Sequence, residues 1–214
     1  MSEYKDLKIS IIDYHMGNLF SVVKACAEVG LKAVITHDKE RIASSDAIIL
    51  PGVGAFGDAM QQLRDLDILD ATIDFIKQGK PYFGICLGMQ LLMSESEEFG
   101  THKGFDVISG KVVRLDPEHE HGRIAKVPQV GWNQIYPNSG ASDSTWKNTP
   151  LAKMDVGEYM YFVHSFVVQP EDPAVVLTET NYEGVTFCST ILKGNIFAVQ
   201  YHPEKSGDHG MHIY

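Results

Sequence analysis

Two hydrophobic rhythms alternate through the first half of the chain. "LKISIID" (Leu7–Asp13) is a short run of apolar β-formers. "NLFSVVKACAEVG" follows with helical spacing and stops at Gly30, the kind of residue that ends helices. "AVIT" and "DAIIL" predict two more strands. "GDAMQQLRDLDILDATIDFIKQG" carries apolar residues at helical intervals and predicts a long helix closing at Gly79. "PYFGI" predicts the next strand and "GMQLLMSES" the next helix. Strand and helix taking turns predict a parallel sheet covered by helices.

The second half reads differently. "GKVVRL", "VGWNQIY", "YMYFVHSFVV", "AVVLTETN", "VTFCSTIL" and "IFAVQY" are strand-like runs separated by Gly, Pro and Asn. They predict an antiparallel or mixed extension of the same sheet. The stretches Asp116–Lys126 and Pro137–Pro150 are polar and predict surface loops. The expected fold is therefore α/β, a mostly parallel central sheet flanked by helices with an antiparallel β-rich second half. It is expected to form one domain over residues 1–214.

Composition narrows the function. With 18 Lys+Arg against 28 Asp+Glu, the formal net charge is 18 − 28 = −10, a poor match for nucleic acid or an anionic membrane surface. No apolar run approaches the ~18 residues of a membrane span, and the N-terminus lacks a signal-peptide pattern. Cys26, Cys86 and Cys188 are odd in number and widely spaced, which suits a reducing cytoplasm better than a disulfide framework.

Cys86 stands out among the three. Gly84-Ile85-Cys86-Leu87-Gly88 has the form G-x-C-x-G at a predicted strand-to-helix corner, the thiol version of a nucleophile elbow. A helix beginning there would aim free N–H groups at the sulfur and favour its thiolate. Cys26, in a helical pattern, and Cys188, in a strand, read as buried filler. A nucleophile needs a base and the base an orienting group. "QYHPEKS" offers His202 and Glu204, expected to face the same way along an extended segment stiffened by Pro203.

Three other patterns compete for attention. His164 lies inside a strand pattern and reads as a packed histidine. Glu118, His119, Glu120 and His121 could ligate a metal but read as a solvated loop, so no metal or other cofactor is assigned. Gly52–Gly57 has the form G-x-G-x-x-G, but it follows the third strand and lacks a ribose-binding carboxylate at the expected distance. A glycine-rich turn of this kind can equally bind an oxyanion.

Taken together, "IIDYHMGNL", "ILPGVGAFGDAM", "PYFGICLGMQLL", "VGWN", "YFVHSF" and "QYHPEKSG" resemble the class I, triad-type glutamine amidotransferases, and more closely the HisH-type glutaminase subunits of imidazole glycerol phosphate synthase. The resemblance spans nearly the whole chain. It implies that Cys86 attacks the side-chain amide of L-glutamine, that His202 shuttles the proton and that Glu204 orients it. It implies an oxyanion hole at Gly52, Val53 and Leu87. Gln90, Glu98 and the backbone around His164, Ser165 and Phe166 would hold the amino-acid end of the substrate. Asn18 and Lys205 would face a partner, a HisF-type (β/α)8 cyclase of histidine biosynthesis in a heterodimer. An alternative, carried by His15 and Gln129 near the presumed docking face, is a HisH-like paralogue supplying ammonia to a sugar amidotransferase of surface-polysaccharide synthesis. A thiol peptidase, a catalytically idle regulatory subunit and a nucleotide-binding module are the rivals outside that family.

Overall fold

The computed structural model describes residues 7–116, 126–138 and 146–214. The first half runs β1 (Ile9–Ile12), α1 (Leu19–Glu28), β2 (Ala33–Thr36), α2 (Lys39–Ser44), β3 (Ala47–Gly52), α3 (Phe56–Asp65), α4 (Leu69–Lys77), β4 (Tyr82–Cys86) and α5 (Leu87–Gln90). The second half runs β5 (Met93–Ser96), β6 (His102–Lys103), β7 (Ile108–Arg114), β8 (Gln129–Gln134), β9 (Tyr136–Pro137), β10 (Tyr159–His164), β11 (Phe166–Pro170), β12 (Val176–Tyr182), β13 (Val185–Lys193), β14 (Ile196–Val199) and α6 (Gly207–Met211).

An eight-stranded sheet in the order β2-β1-β3-β4-β14-β13-β12-β9 forms the frame. The pairs from β2 through β14 are parallel, and β13, β12 and β9 add antiparallel strands at one side. The central strands β1, β3, β4 and β14 are covered on both faces, so they read as nearly continuous apolar runs. Alternation along β1 sends Ile9 and Ile11 into one core and Ile12 into the other.

The structure departs from the sequence expectations in three places. The long helix expected up to Gly79 is two helices, α3 and α4, because Asp67 turns the backbone left-handed at φ 56°. The helix expected over "GMQLLMSES" is a single turn, α5, followed by a strand, β5. Leu91, Leu92 and Met93 are each fully buried, so the apolar run is consumed by the core rather than by one face of a surface helix. The second half only partly extends the main sheet. β7 and β11 join β5 and β6 in a separate four-stranded sheet, while β8 and β10 form a two-stranded ribbon. "YMYFVHSFVV" is cut at Ser165 into β10 and β11, which belong to different sheets.

Two buried features bear on the site. Gly88 in α5 packs so closely on β3 that a Cβ there would sit 1.8 Å from the Leu50 carbonyl oxygen. His164 closes β10 with its ring 5.1 Å from that of Phe187 and its Nδ1 3.0 Å from the Phe166 carbonyl oxygen. Burial, with a smaller contribution from the charge of His202, holds its pKa down to about 4 despite that hydrogen bond.

Two outcomes are expected. Gly88→Ala should cost more than the about 1–3 kcal/mol of ordinary overpacking, because backbone and not a flexible side chain fills the space. Chemical denaturation would show a large drop in midpoint, and an unchanged midpoint would contradict the packing. His164 takes up its proton near 6.5 when unfolded and near 4 when folded. Its contribution is therefore complete above pH ~6.5 and is lost as pH falls toward 4, on the order of 3 kcal/mol. Urea unfolding of the parent should lose stability faster through that window than His164→Gln does, and parallel curves would refute the assignment.

Candidate active site

The parallel strands bring the candidate residues to one edge. Gly52, the last residue of β3, is the register partner of Cys86, the last residue of β4. On the other side of β4, Val199 of β14 pairs with Ile85, so the chain leaving β14 passes beside Cys86. The site thus lies at the carboxyl ends of neighbouring parallel strands, where α/β sheets commonly place ligands.

Cys86 itself takes the strain of the corner, with φ 54° and ψ −105°, a conformation rare for a residue with a side chain. The flanking glycines are there for room. A Cβ at Gly84 would meet the Gly88 carbonyl oxygen at 2.8 Å, and one at Gly88 would strike β3. The Tyr82 hydroxyl donates to that same Gly88 carbonyl at 2.7 Å and pins the turn. Leu87 opens α5, where a first N–H has no partner within the helix. With only four residues, α5 supplies little of the dipole that a long helix would.

His202 and Glu204 meet, by a route other than the expected one. The strand ends at Val199, and Pro203–Lys205 is a 3-10 turn rather than an extended segment. His202 Nδ1 lies 2.8 Å from Glu204 Oε1, with both side chains only 3% exposed. The His202 amide donates to Tyr161 O at 2.9 Å, and Ser206 Oγ donates to His202 O at 2.7 Å, which fixes the backbone under the ring. Because Nδ1 is taken by the carboxylate, Nε2 is the nitrogen left for proton transfer. Burial is the largest single influence on His202 and disfavours its charge. The hydrogen bonding and charge of Cys86, then those of Glu204, outweigh burial and raise its pKa well above the ordinary imidazole range. The arrangement favours the charged imidazolium at His202.

A cavity of about 390 Å³ opens at Cys86 and is lined by Val53, Leu87, Gln90, Glu98, His164, Ser165 and Phe166 among others. Every residue expected to hold substrate lines it. Gln90 donates from Nε2 to Phe166 O at 3.1 Å and to Gln200 Oε1 at 3.2 Å. Glu98 also serves the fold. Its Oε2 accepts from the Phe56 N–H at 2.6 Å and caps α3, whose own N-cap, Ala55, cannot. Burial raises the pKa of Glu98.

The G-x-G-x-x-G turn faces this cavity through Val53 and Gly54. Beneath Gly52, a Cβ would fall 1.8 Å from the buried hydroxyl of Tyr14. Asn18 is the N-cap of α1 and accepts from Ser21 N–H at 3.3 Å. Lys205 is exposed, with Nζ 5.9 Å from the centroid of the Tyr161 ring.

Cys26 and Cys188 are buried free thiols, and burial pushes the pKa of both upward. Among the described residues no group of three His, Cys, Asp or Glu is arranged to hold a metal ion. The Glu118–His121 stretch lies outside the described residues, as do residues 117–125 and 139–145 of the two expected loops. Among the described residues, no helix is long and apolar enough to cross a membrane.

Sequence reasoning missed Gln200, whose Nε2 lies 3.6 Å from Cys86 Sγ. Its place two residues before His202, in the run "IFAVQY" that the sequence reads as a strand, was the available signal.

Residues 10–214 match the family model "Glutamine amidotransferase class-I". The imidazole glycerol phosphate synthase subunit HisH of Syntrophotalea carbinolica is 45% identical over 207 residues, covering 96% of each chain. The subunit of the same name from Geobacter sulfurreducens is 44% identical over 209 residues, covering 96% of this chain and 95% of its own. A crystal structure of a glutamine amidotransferase superposes with a TM-score of 0.69 at 18% identity, covering 95% of this chain and 94% of that one, a likeness of fold. The chain belongs to the class I glutamine amidotransferases, among relatives of the HisH type.

Proposed function

We propose that this chain hydrolyses L-glutamine to glutamate and ammonia, as the glutaminase subunit of an imidazole glycerol phosphate synthase. The observation that carries the reading is the buried His202–Glu204 pair, joined at 2.8 Å within the electrostatic reach of the elbow cysteine. The Cys86 thiolate attacks the amide carbon of glutamine, and the carbonyl π electrons move onto oxygen. Backbone N–H groups at the Gly52–Val53 turn and at Leu87 stabilise that oxyanion. The His202 imidazolium gives its proton to the departing nitrogen, which leaves as ammonia, and a thioester remains. Water then attacks the thioester with His202 as base, releasing glutamate and restoring the thiolate. Glu204 holds the ring with Nε2 toward the reacting atoms throughout. Gln90, Glu98 and the backbone at His164, Ser165 and Phe166 bind the amino-acid end.

The ammonia goes to a partner of HisF type, for histidine biosynthesis. Free ammonia is protonated near neutrality and then no longer a nucleophile, so the acceptor site belongs close to Cys86. The β8–β10 ribbon supports a docking face: Val130, Trp132 and Tyr159 are each more than half exposed, with Trp132 edge-on to Tyr161 beside Lys205. The acceptor chemistry belongs to the partner chain. Three free cysteines, one of them needed as a thiolate, suit a reducing cytoplasm. The names of the HisH relatives favour the histidine pathway over the polysaccharide alternative.

Cys86→Ala should abolish ammonia release from glutamine while leaving thermal unfolding nearly unchanged; substantial residual release with the partner present would refute the assignment. His202→Ala should lower kcat roughly tens of times more than Glu204→Gln, since the carboxylate orients and does not itself carry the proton. Equal losses, or no loss in Glu204→Gln, would mean that another group orients the ring. The pathway is tested by growth of a histidine auxotroph lacking its glutaminase subunit. Rescue by this chain with its own partner is expected, and failure despite soluble expression would overturn the pathway but not the glutaminase.

A further inference from the structure

We propose that Gln200 is a positioning residue for the nucleophile: its side-chain amide donates to the Cys86 sulfur and ties the thiolate to the substrate-binding wall. The proposal rests on Cys86 being the nucleophile.

Gln200 is fully buried just past the end of β14. Its Nε2 lies 3.6 Å from Cys86 Sγ, a normal donor distance to sulfur, and its Oε1 lies 3.2 Å from Gln90 Nε2. Gln90 Nε2 is in turn 3.1 Å from Phe166 O, and His164 Nδ1 is 3.0 Å from that same oxygen.

The hydrogen-bond network settles the orientation of both amides. One end of this chain of contacts is unambiguous, because a backbone carbonyl oxygen can only accept. Phe166 O therefore takes a proton from Gln90, which must present its NH₂ group there. The second hydrogen of that NH₂ points to Gln200, whose facing atom must accept and so is Oε1. The remaining atom of Gln200 is an NH₂ group, a donor only, and it faces the sulfur. A flipped Gln200 would set two donors against each other. Cys86 Sγ is thus the acceptor, and the contact strengthens when the thiol ionises, because a hydrogen bond to a charged group is the stronger kind.

Two features give this donor weight. The single turn α5 contributes little dipole, so side-chain donors matter more than the elbow pattern alone suggests. The donor is also shielded from water, where a fixed hydrogen bond acts at low dielectric. Gln90 and Phe166 line the cavity, so a ligand contacting either is two or three hydrogen bonds from the sulfur.

The test is the pH dependence of iodoacetamide alkylation of the full chain. The reaction is followed at Cys86 by mass spectrometry, with Cys86→Ala as the site control. Gln200→Leu removes the donor and should raise the alkylation midpoint by about one to two pH units. Gln200→Glu, nearly isosteric, keeps an acceptor for Gln90 but sets a carboxylate against the sulfur, and should shift the midpoint at least as far. In the parent protein, the Gln200 side-chain amide should shift with the Cys86 midpoint in a nitrogen–proton NMR titration and stay still in Cys86→Ala. An unshifted midpoint in either folded variant, or an unresponsive amide in the parent, overturns the proposal. Glutamine hydrolysis surviving in Cys86→Ala would instead overturn the nucleophile reading on which it rests.

Discussion

The carbonyl oxygen of Leu50 leaves no room for a side chain at residue 88, and much of the site depends on that close approach. With glycine there, α5 lies directly against β3, and the chain can turn sharply at Cys86 from β4 into α5. Gly84 lets the turn fold back on itself, and Tyr82 holds it from below. The strain concentrates at Cys86, where a positive φ directs the thiol out of the strand end. Backbone packing, rather than hydrogen bonds at the thiol, builds the elbow.

Parallel register then does the assembling. Gly52 stands opposite Cys86, so the glycine-rich turn after β3 and the elbow after β4 are neighbours without any long-range search. β14, paired to the other side of β4, delivers Gln200 and His202 to the same edge. Three strand ends, far apart in sequence, therefore bring the proposed oxyanion donors, nucleophile and base to one edge. β14 enters as a parallel strand while β13 and β12 beyond it are antiparallel, which lets the chain's last strand reach the centre of the sheet.

Electrostatically the site is a buried set of groups that depend on one another. His202 and Glu204 are almost wholly removed from water, where an unpaired charge is costly and a paired, hydrogen-bonded one is tolerated. Nearby His164 is pushed toward its neutral form by burial, whereas His202 is pushed toward its charged form. Its Nδ1–H and the Gln90 amide converge on one carbonyl, Phe166 O, which makes the cavity wall stiff before any ligand arrives.

The alternation of strand and helix in the first half, the elbow and the His-Pro-Glu tripeptide were all legible in the sequence. Each is a local pattern: apolar periodicity, glycines around a thiol, a proline between two functional groups. Motifs short enough to be recognised one at a time also pointed to the residues around the cavity. The rest was settled by tertiary contacts. Periodicity could not show that the helix before Gly79 breaks at Asp67, because a left-handed residue there leaves the apolar spacing intact. Nor could it separate a core helix from the turn-and-strand at Leu87–Ser96, since residues buried on every side carry no face. The separation of β7 and β11 from the main sheet depends on pairing partners far along the chain. Glu98 capping α3 and Gln200 reaching Cys86 are contacts across 42 and 114 residues, which no local spacing encodes. Only the folded register of β3, β4 and β14 brings those atoms within hydrogen-bond distance.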